Sequence, residues 1–253
     1  MHQIFREKGY KAPSNDSDGA FQWTFNTTQS YFEHIHSDPE RSKDFNTFMS
    51  GSRSTRSHWT DWFPVESEIM SDAISGANDI LLVDVGGGNG HDLTRFVTKY
   101  PSSCGRLILQ DLPNLIENLQ GLSPGIQAMG HDFFIPQAIK GARVYYTHFV
   151  LHNWPDNKCR HILRNLMTAM KPNYSKILLN ESVLPDTGCP SSLAAGDINM
   201  MSIMGGMKRK EGQWLEILRL VDLHVVKIWK SPNPRNEEAV IEAVLPAFGE
   251  VPG

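Results

Sequence analysis

Leu81-Leu82-Val83-Asp84-Val85-Gly86-Gly87-Gly88-Asn89-Gly90 is the stretch that decides the fold. An apolar run of strand type ends at an acid and breaks into a glycine turn. Gly86, Gly88 and Gly90 form G-x-G-x-G, and the residues after Gly90 suit a helix. Glycines at such a turn permit positive φ and let a ligand approach the backbone closely. The dinucleotide fingerprint G-x-G-x-x-G requires a sixth-position glycine, and His91 stands there instead. A plain structural turn produces the same pattern, so the glycines alone do not decide between ligand site and turn.

Outward from this turn, the chain alternates strands and helices. Strands are predicted at Ile80–Val85, Arg106–Gln110, Ile126–Met129, Arg143–Thr147, Lys176–Asn180, His224–Trp229 and Ala239–Val244. The clearest helix follows Trp154-Pro155-Asp156. Its apolar face is Cys159, Ile162, Leu163, Leu166, Met167 and Met170, with Pro155 in the first turn and Lys171-Pro172-Asn173 ending it. Alternation of this kind predicts an α/β fold: a Rossmann-like, doubly wound sheet of seven strands, mostly parallel. Before it, residues 1–75 read as a helical segment and residues 76–253 as the ligand-binding domain. The aromatics Phe21, Trp23, Phe25, Tyr31, Phe32, Phe45, Phe48, Trp59, Trp62 and Phe63 are expected to pack a helical layer.

Composition narrows the function classes. The 253 residues carry a net charge of −4, which argues against nucleic acid as an electrostatic partner. Lys208-Arg209-Lys210 is the one dense basic run and reads as solvated surface. Three cysteines (Cys104, Cys159, Cys189) match neither a zinc site nor a disulfide framework, so no metal is expected and a reducing, cytoplasmic setting is. No apolar stretch reaches the ~20 residues of a membrane span, and no signal peptide is visible.

In doubly wound sheets, ligands sit beyond the carboxyl ends of the strands. Asp111 follows the second strand, 23 residues past Gly88, near the spacing at which an acid meets ribose hydroxyls. The alternative is a helix cap before Leu112-Pro113. Asp132 and Phe133 follow the third strand, where an acid and a ring frame an adenine; a turn aspartate is the alternative. A ligand with ribose and adenine but no phosphate fits these positions, and S-adenosylmethionine is such a ligand. His152 follows the fourth strand and Glu181 the fifth. An imidazole beside a carboxylate suits proton removal from a hydroxyl. A lone strand-end histidine is otherwise structural.

Together, several segments resemble the fungal branch of the class I S-adenosylmethionine-dependent O-methyltransferases, relatives of the plant caffeate and flavonoid enzymes. They are Asp44-Phe45-Asn46 with Met49, Val83 to Leu93, Gln110 to Pro113, His131 to Phe134, Leu151 to Asp156, Asn180-Glu181, Asp197 with Met200-Met201, and Arg209 to Trp214. The resemblance implies an antiparallel last strand pair. It implies donor contacts from Gly86 and Gly88, ribose contacts from Asp111, and an adenine frame of Asp132 and Phe133. It makes His152 the general base, with Glu181 and Gln213 flanking it, and lets Met49, Asn199 and Met200 line the acceptor pocket. His148 takes a position that contacts the adenine side in relatives, where a lysine or arginine is usual; Asn153 replaces a usual aspartate. The expected partner is a phenolic or polyketide small molecule, with a homodimer typical of the family. Relatives begin with a helical dimerisation domain that this sequence largely lacks. Two alternatives stay open: a donor-binding enzyme that dehydrates or rearranges its substrate without methylating it, and a shortened homologue that acts as a binding partner.

Overall fold

A computed structural model describes residues 2–9, 15–54, 57–71, 73, 79–103, 105–233 and 238–246. Cys104 lies outside the described residues. Helices come first: α1 (His2–Lys8), α2 (Ala20–Phe25), α3 (Tyr31–His36) and α4 (Pro39–Ser54). A 3-10 turn at Trp59–Asp61 and a π-helical turn at Glu66–Met70 lead into the sheet. Then follow β1 (Ile80–Val85), α5 (His91–Lys99), β2 (Arg106–Asp111), α6 (Pro113–Glu117), β3 (Ile126–Gly130), β4 (Val144–His148), α7 (Asp156–Met167), β5 (Lys176–Leu184), α8 (Ser191–Met204), β6 (Arg209–Lys210), α9 (Glu211–Arg219), β7 (His224–Lys230) and β8 (Glu238–Val244).

The strand order is β3-β2-β1-β4-β5-β8-β7, with the short β6 paired to β5. β1 pairs in parallel with β2 and β4, and β4 with β5; β8 runs antiparallel to both β5 and β7. The order reverses direction between β1 and β4, which places the ligand crevice at the carboxyl ends of those two strands. The sheet has eight strands rather than the seven expected, because the two-residue β6 is too short for a periodic signal.

Both faces of the central strands are covered, so these strands read as continuous apolar runs. On one face Val83, Val85, Ile177 and Leu179 pack with Ile162, Leu163 and Leu166 of α7. On the other, Leu82, Leu109 and Tyr146 pack with Phe96 of α5 and with Trp59, Phe63 and Ile69. Thus part of the segment before the sheet belongs to the core itself. Its aromatic layer is incomplete: Phe21 is buried, but Trp23, Phe25 and Phe48 are exposed. Helix α7 begins after Pro155 rather than including it, and ends at Met167, three residues before the expected Met170. Among the described residues no helix is long and apolar enough to cross a membrane.

Candidate active site

The glycine turn closes β1 against β2: the Gly86 and Gly87 amides both donate to the Gln110 carbonyl, at 2.8 and 3.1 Å. Gly86, Gly88 and Gly90 adopt φ of +74°, +60° and +73°, the left-handed region that favours glycine. Gly87 is needed for space. A Cβ there would sit 2.4 Å from the Asp84 carboxylate. A Cβ on Gly88 would meet nothing within 4 Å, so this residue faces open space at the crevice.

Asp111 terminates β2 and faces the turn. Its Oδ2 accepts from the Gly88 amide at 2.8 Å and its Oδ1 from Leu112 at 2.7 Å. The cap position of α6 is Leu112, not Asp111, and it makes no side-chain cap bond. Phe133 approaches the same turn, its ring edge 3.5 Å from where a Gly86 Cβ would stand. Asp132 accepts from the Phe134 amide at 2.8 Å, a turn bond of the local kind. Beneath the crevice, Gln110 and Gln137 exchange a reciprocal pair of amide bonds at 2.9 and 2.8 Å.

His152 lies on a 3-10 turn, Leu151–Asn153, just past β4. Its Nδ1 is 3.1 Å from Glu181 Oε2, with the imidazole 13% exposed and the carboxylate fully buried. The other oxygen, Oε1, accepts from the Leu151 amide at 2.8 Å and the His152 amide at 3.4 Å. Glu181 therefore fixes the backbone of the turn and stands beside the ring it carries, off hydrogen-bond alignment. Glu181 sits inside β5, paired with Ala239 of β8, rather than after the strand as expected. The expectation that the strand ends at Asn180 failed because β8 extends the ladder through Glu181 and Ser182.

Two expected roles are displaced. Gln213 is not beside His152. It is exposed in the first turn of α9, where its Oε1 accepts from the Lys210 amide at 2.9 Å, a capping box. Its side chain is committed to the helix it opens, and Glu181 is the carboxylate that stands beside His152. His148 is buried under the crevice. Its Nδ1 lies 2.9 Å from Asp92 Oδ2 and its Nε2 3.7 Å from Glu238 Oε2. Asp92 also holds His58 Nε2 at 2.9 Å, and Thr60 donates its amide to His58 Nδ1. Tyr146 borders this group, and burial, aided by the Asp92 carboxylate, keeps its phenol well above the usual range.

Asn199 and Met200 lie on α8, which packs against α2 and against the turn of His152. Asn199 is exposed and Met200 half-buried. Met49 is half-buried on α4, which packs on α3.

Three site residues escaped sequence reasoning. His36, the last residue of α3, lies close enough to Asp111 for that carboxylate to oppose the lowering of its pKa by burial. Phe149 adopts φ of +54°, a conformation that costs a bulky L-residue roughly 1–2 kcal/mol. Gly206 packs on the turn of the base: a Cβ there would lie 2.2 Å from the His152 carbonyl oxygen and 2.5 Å from the Asn153 carbonyl carbon. Backbone cannot yield as a side chain can. Gly206→Ala should therefore destabilise the fold by about 1–3 kcal/mol, read as a lowered urea midpoint. An unchanged midpoint would show that the contact is not made.

This chain belongs to the O-methyltransferase domain family, whose pattern matches residues 10–221. It is 42% identical over 240 residues to O-methyltransferase asqD of Emericella nidulans, covering 94% of this chain and 62% of that protein. It is 41% identical over 242 residues to O-methyltransferase penC of Penicillium thymicola, covering 95% and 60%. The chain thus spans about three fifths of the length of these curated relatives. Among solved structures, LepI in its complex with SAM superposes with a TM-score of 0.86 at 31% identity, over 96% of this chain and 62% of that one. OxaC in complex with SAH and oxaline superposes with a TM-score of 0.87 at 28% identity, over 97% and 62%.

Proposed function

We propose that this chain carries the catalytic half of an S-adenosylmethionine-dependent O-methyltransferase acting on a phenolic or enolic hydroxyl of a fungal secondary metabolite, of aromatic polyketide type. The observation that carries the reading is the His152–Glu181 pair, 3.1 Å apart, set beside the glycine turn at the reversal of the sheet.

The residues at the crevice fit the donor. Gly86 and Gly88 offer backbone with open space over Gly88, Asp111 presents a carboxylate suited to a ribose diol, and Phe133 lines the turn. When bound, S-adenosylmethionine supplies an electrophilic methyl group. The chain's own part is the acceptor's proton. His152 takes the proton from the acceptor hydroxyl on Nε2, its Nδ1 lying 3.1 Å from Glu181 Oε2. The buried carboxylate, 3.1 Å away, balances the imidazolium that forms. Helix α8, packed on the His152 turn, supplies Asn199 and Met200 for one wall of the acceptor pocket, and Met49 of α4 belongs to the same proposal.

Calorimetric titration with S-adenosylmethionine and S-adenosylhomocysteine tests the donor site, and product mass with phenolic acceptors tests the reaction. Asp111→Ala should weaken donor binding by roughly ten- to a hundredfold, since a hydrogen bond to a charged acceptor is worth about 1.5–3 kcal/mol. Equal binding by wild type and variant would remove Asp111 from the site.

A second reading rests on a specific likeness. A structure titled "A Pericyclic Reaction enzyme" matches with a TM-score of 0.86 at 32% identity. In that reading the donor stays intact and the substrate rearranges. A product whose mass equals that of the substrate would favour it.

A further inference from the structure

Three rings stand in a row past the end of β4. The Phe149 centroid lies 4.5 Å from that of His148 at 35° between planes, and 5.1 Å from that of His152 at 28°. Phe149 reaches this place only through its left-handed backbone, φ +54°. The surrounding chain enforces that conformation. The Phe149 amide donates to the Asn180 carbonyl at 3.1 Å, and its own carbonyl accepts from Asn153 Nδ2 at 3.0 Å. An unfavourable φ held by two such bonds marks a ring whose position matters.

The far ring is braced. His148 is held between Asp92 at 2.9 Å and Glu238 at 3.7 Å, and Asp92 is itself held by His58 at 2.9 Å. All four side chains are buried. The near ring is the one that must not turn. Glu181 Oε2 lies 3.1 Å from His152 Nδ1 without the alignment of a hydrogen bond. The terminal torsion of histidine is broad, and one contact leaves the imidazole a range of tilts.

We propose that Phe149 is a positioning residue for His152: its face, braced from behind by His148, fixes the plane of the imidazole, which Glu181 approaches at one atom without an aligned hydrogen bond. The inference rests on the reading of His152 as the base. It gives His148 a place in the site different from a donor contact, and it gives Asn153 the task of locking the Phe149 backbone. A ring that merely filled space would be replaced without loss by leucine.

The test compares wild type with Phe149→Leu and Phe149→Tyr, with the His152 ring signals assigned in proton–carbon NMR spectra by their loss in His152→Gln. The Phe149 ring current should displace the His152 ring signals; Phe149→Leu should return them toward free histidine, and Phe149→Tyr should keep them displaced. In turnover, Phe149→Leu should lower kcat by about ten- to a hundredfold, the scale of a small misplacement, with the donor KM unchanged. Phe149→Tyr should restore most of it. His152 signals unmoved by Phe149→Leu, or full turnover in that variant, would overturn the proposal. Should the leucine variant fail to fold, cross-relaxation between the two rings in the wild type decides, and its absence overturns the proposal. Should the wild type transfer no methyl group, the NMR arm still stands, so failure of the proposed function and failure of this inference read differently.

Discussion

His152→Ala should lower methyl transfer by about two to four orders of magnitude, the usual worth of a positioned general base, and leave donor affinity unchanged. The two effects separate because the residues sit on different strand ends. The donor turn follows β1 and its acid ends β2, whereas His152 belongs to the 3-10 turn past β4. The substitution does little to that turn. Its carbonyl still accepts from the Met207 amide at 2.9 Å, and Glu181 still accepts from Leu151 at 2.8 Å. Single-turnover rates with saturating donor, beside a calorimetric donor titration, check both halves. Intact turnover in the variant, or lost donor binding, would take the base assignment away from His152.

Arg209→Ala should cost the fold about 3–5 kcal/mol, the scale of removing one side of a buried charged network. Arg209 was expected on a solvated basic surface, yet its side chain is fully buried. The guanidinium donates to the carbonyls of Leu151, Trp154 and Met207 at 3.2, 2.7 and 3.3 Å. It also donates to Asp156 Oδ1 and lies 5.0 Å from the Trp214 ring centre. Asp156 is 54% exposed, so the ion pair itself contributes little. The cost comes from the carbonyls, which would lose their charged donor; Leu151 would keep the Trp154 amide and the Cys159 thiol, and Trp154 the Cys159 thiol. Arg209→Lys should recover only part, since one ammonium cannot match a planar fork. Urea unfolding at constant slope measures this; a shift below about 1 kcal/mol would show that water replaces the guanidinium. Because Leu151 and Trp154 bracket His152, the same variant should also loosen the turn that carries this imidazole.

What the sequence made legible was whatever repeats or is held by the backbone. The apolar runs gave the starts of β1, β2, β3, β5 and β7 at the expected residues, and the glycine turn fell between β1 and α5. Residues at strand ends were brought together because parallel topology puts them there: Gly88 with Asp111, and His152 with Glu181. Gln213 misled because a helix-opening glutamine satisfies its own first turn, a local bond that competes with any distant role. Arg209 misled because charge in a run of three says nothing about which side chain turns inward. The quartet of His58, Asp92, His148 and Glu238 draws one residue from each of four distant parts of the chain, a constellation without a spacing.

The placement of β8 sets an order on assembly. The last described strand enters not at the edge of the sheet but between β5 and β7, pairing with both. During synthesis β5 and β7 leave the ribosome with that slot empty, and β5 carries Glu181 beside it. The ladder that seats Glu181 opposite Ala239 closes only when Glu238–Val244 has emerged. A nascent chain can gather β1 to β5 early, but long-range pairing of this kind comes slowly. The His152–Glu181 pair is then a late product of folding, completed by the last described strand rather than by the glycine turn that announces the fold.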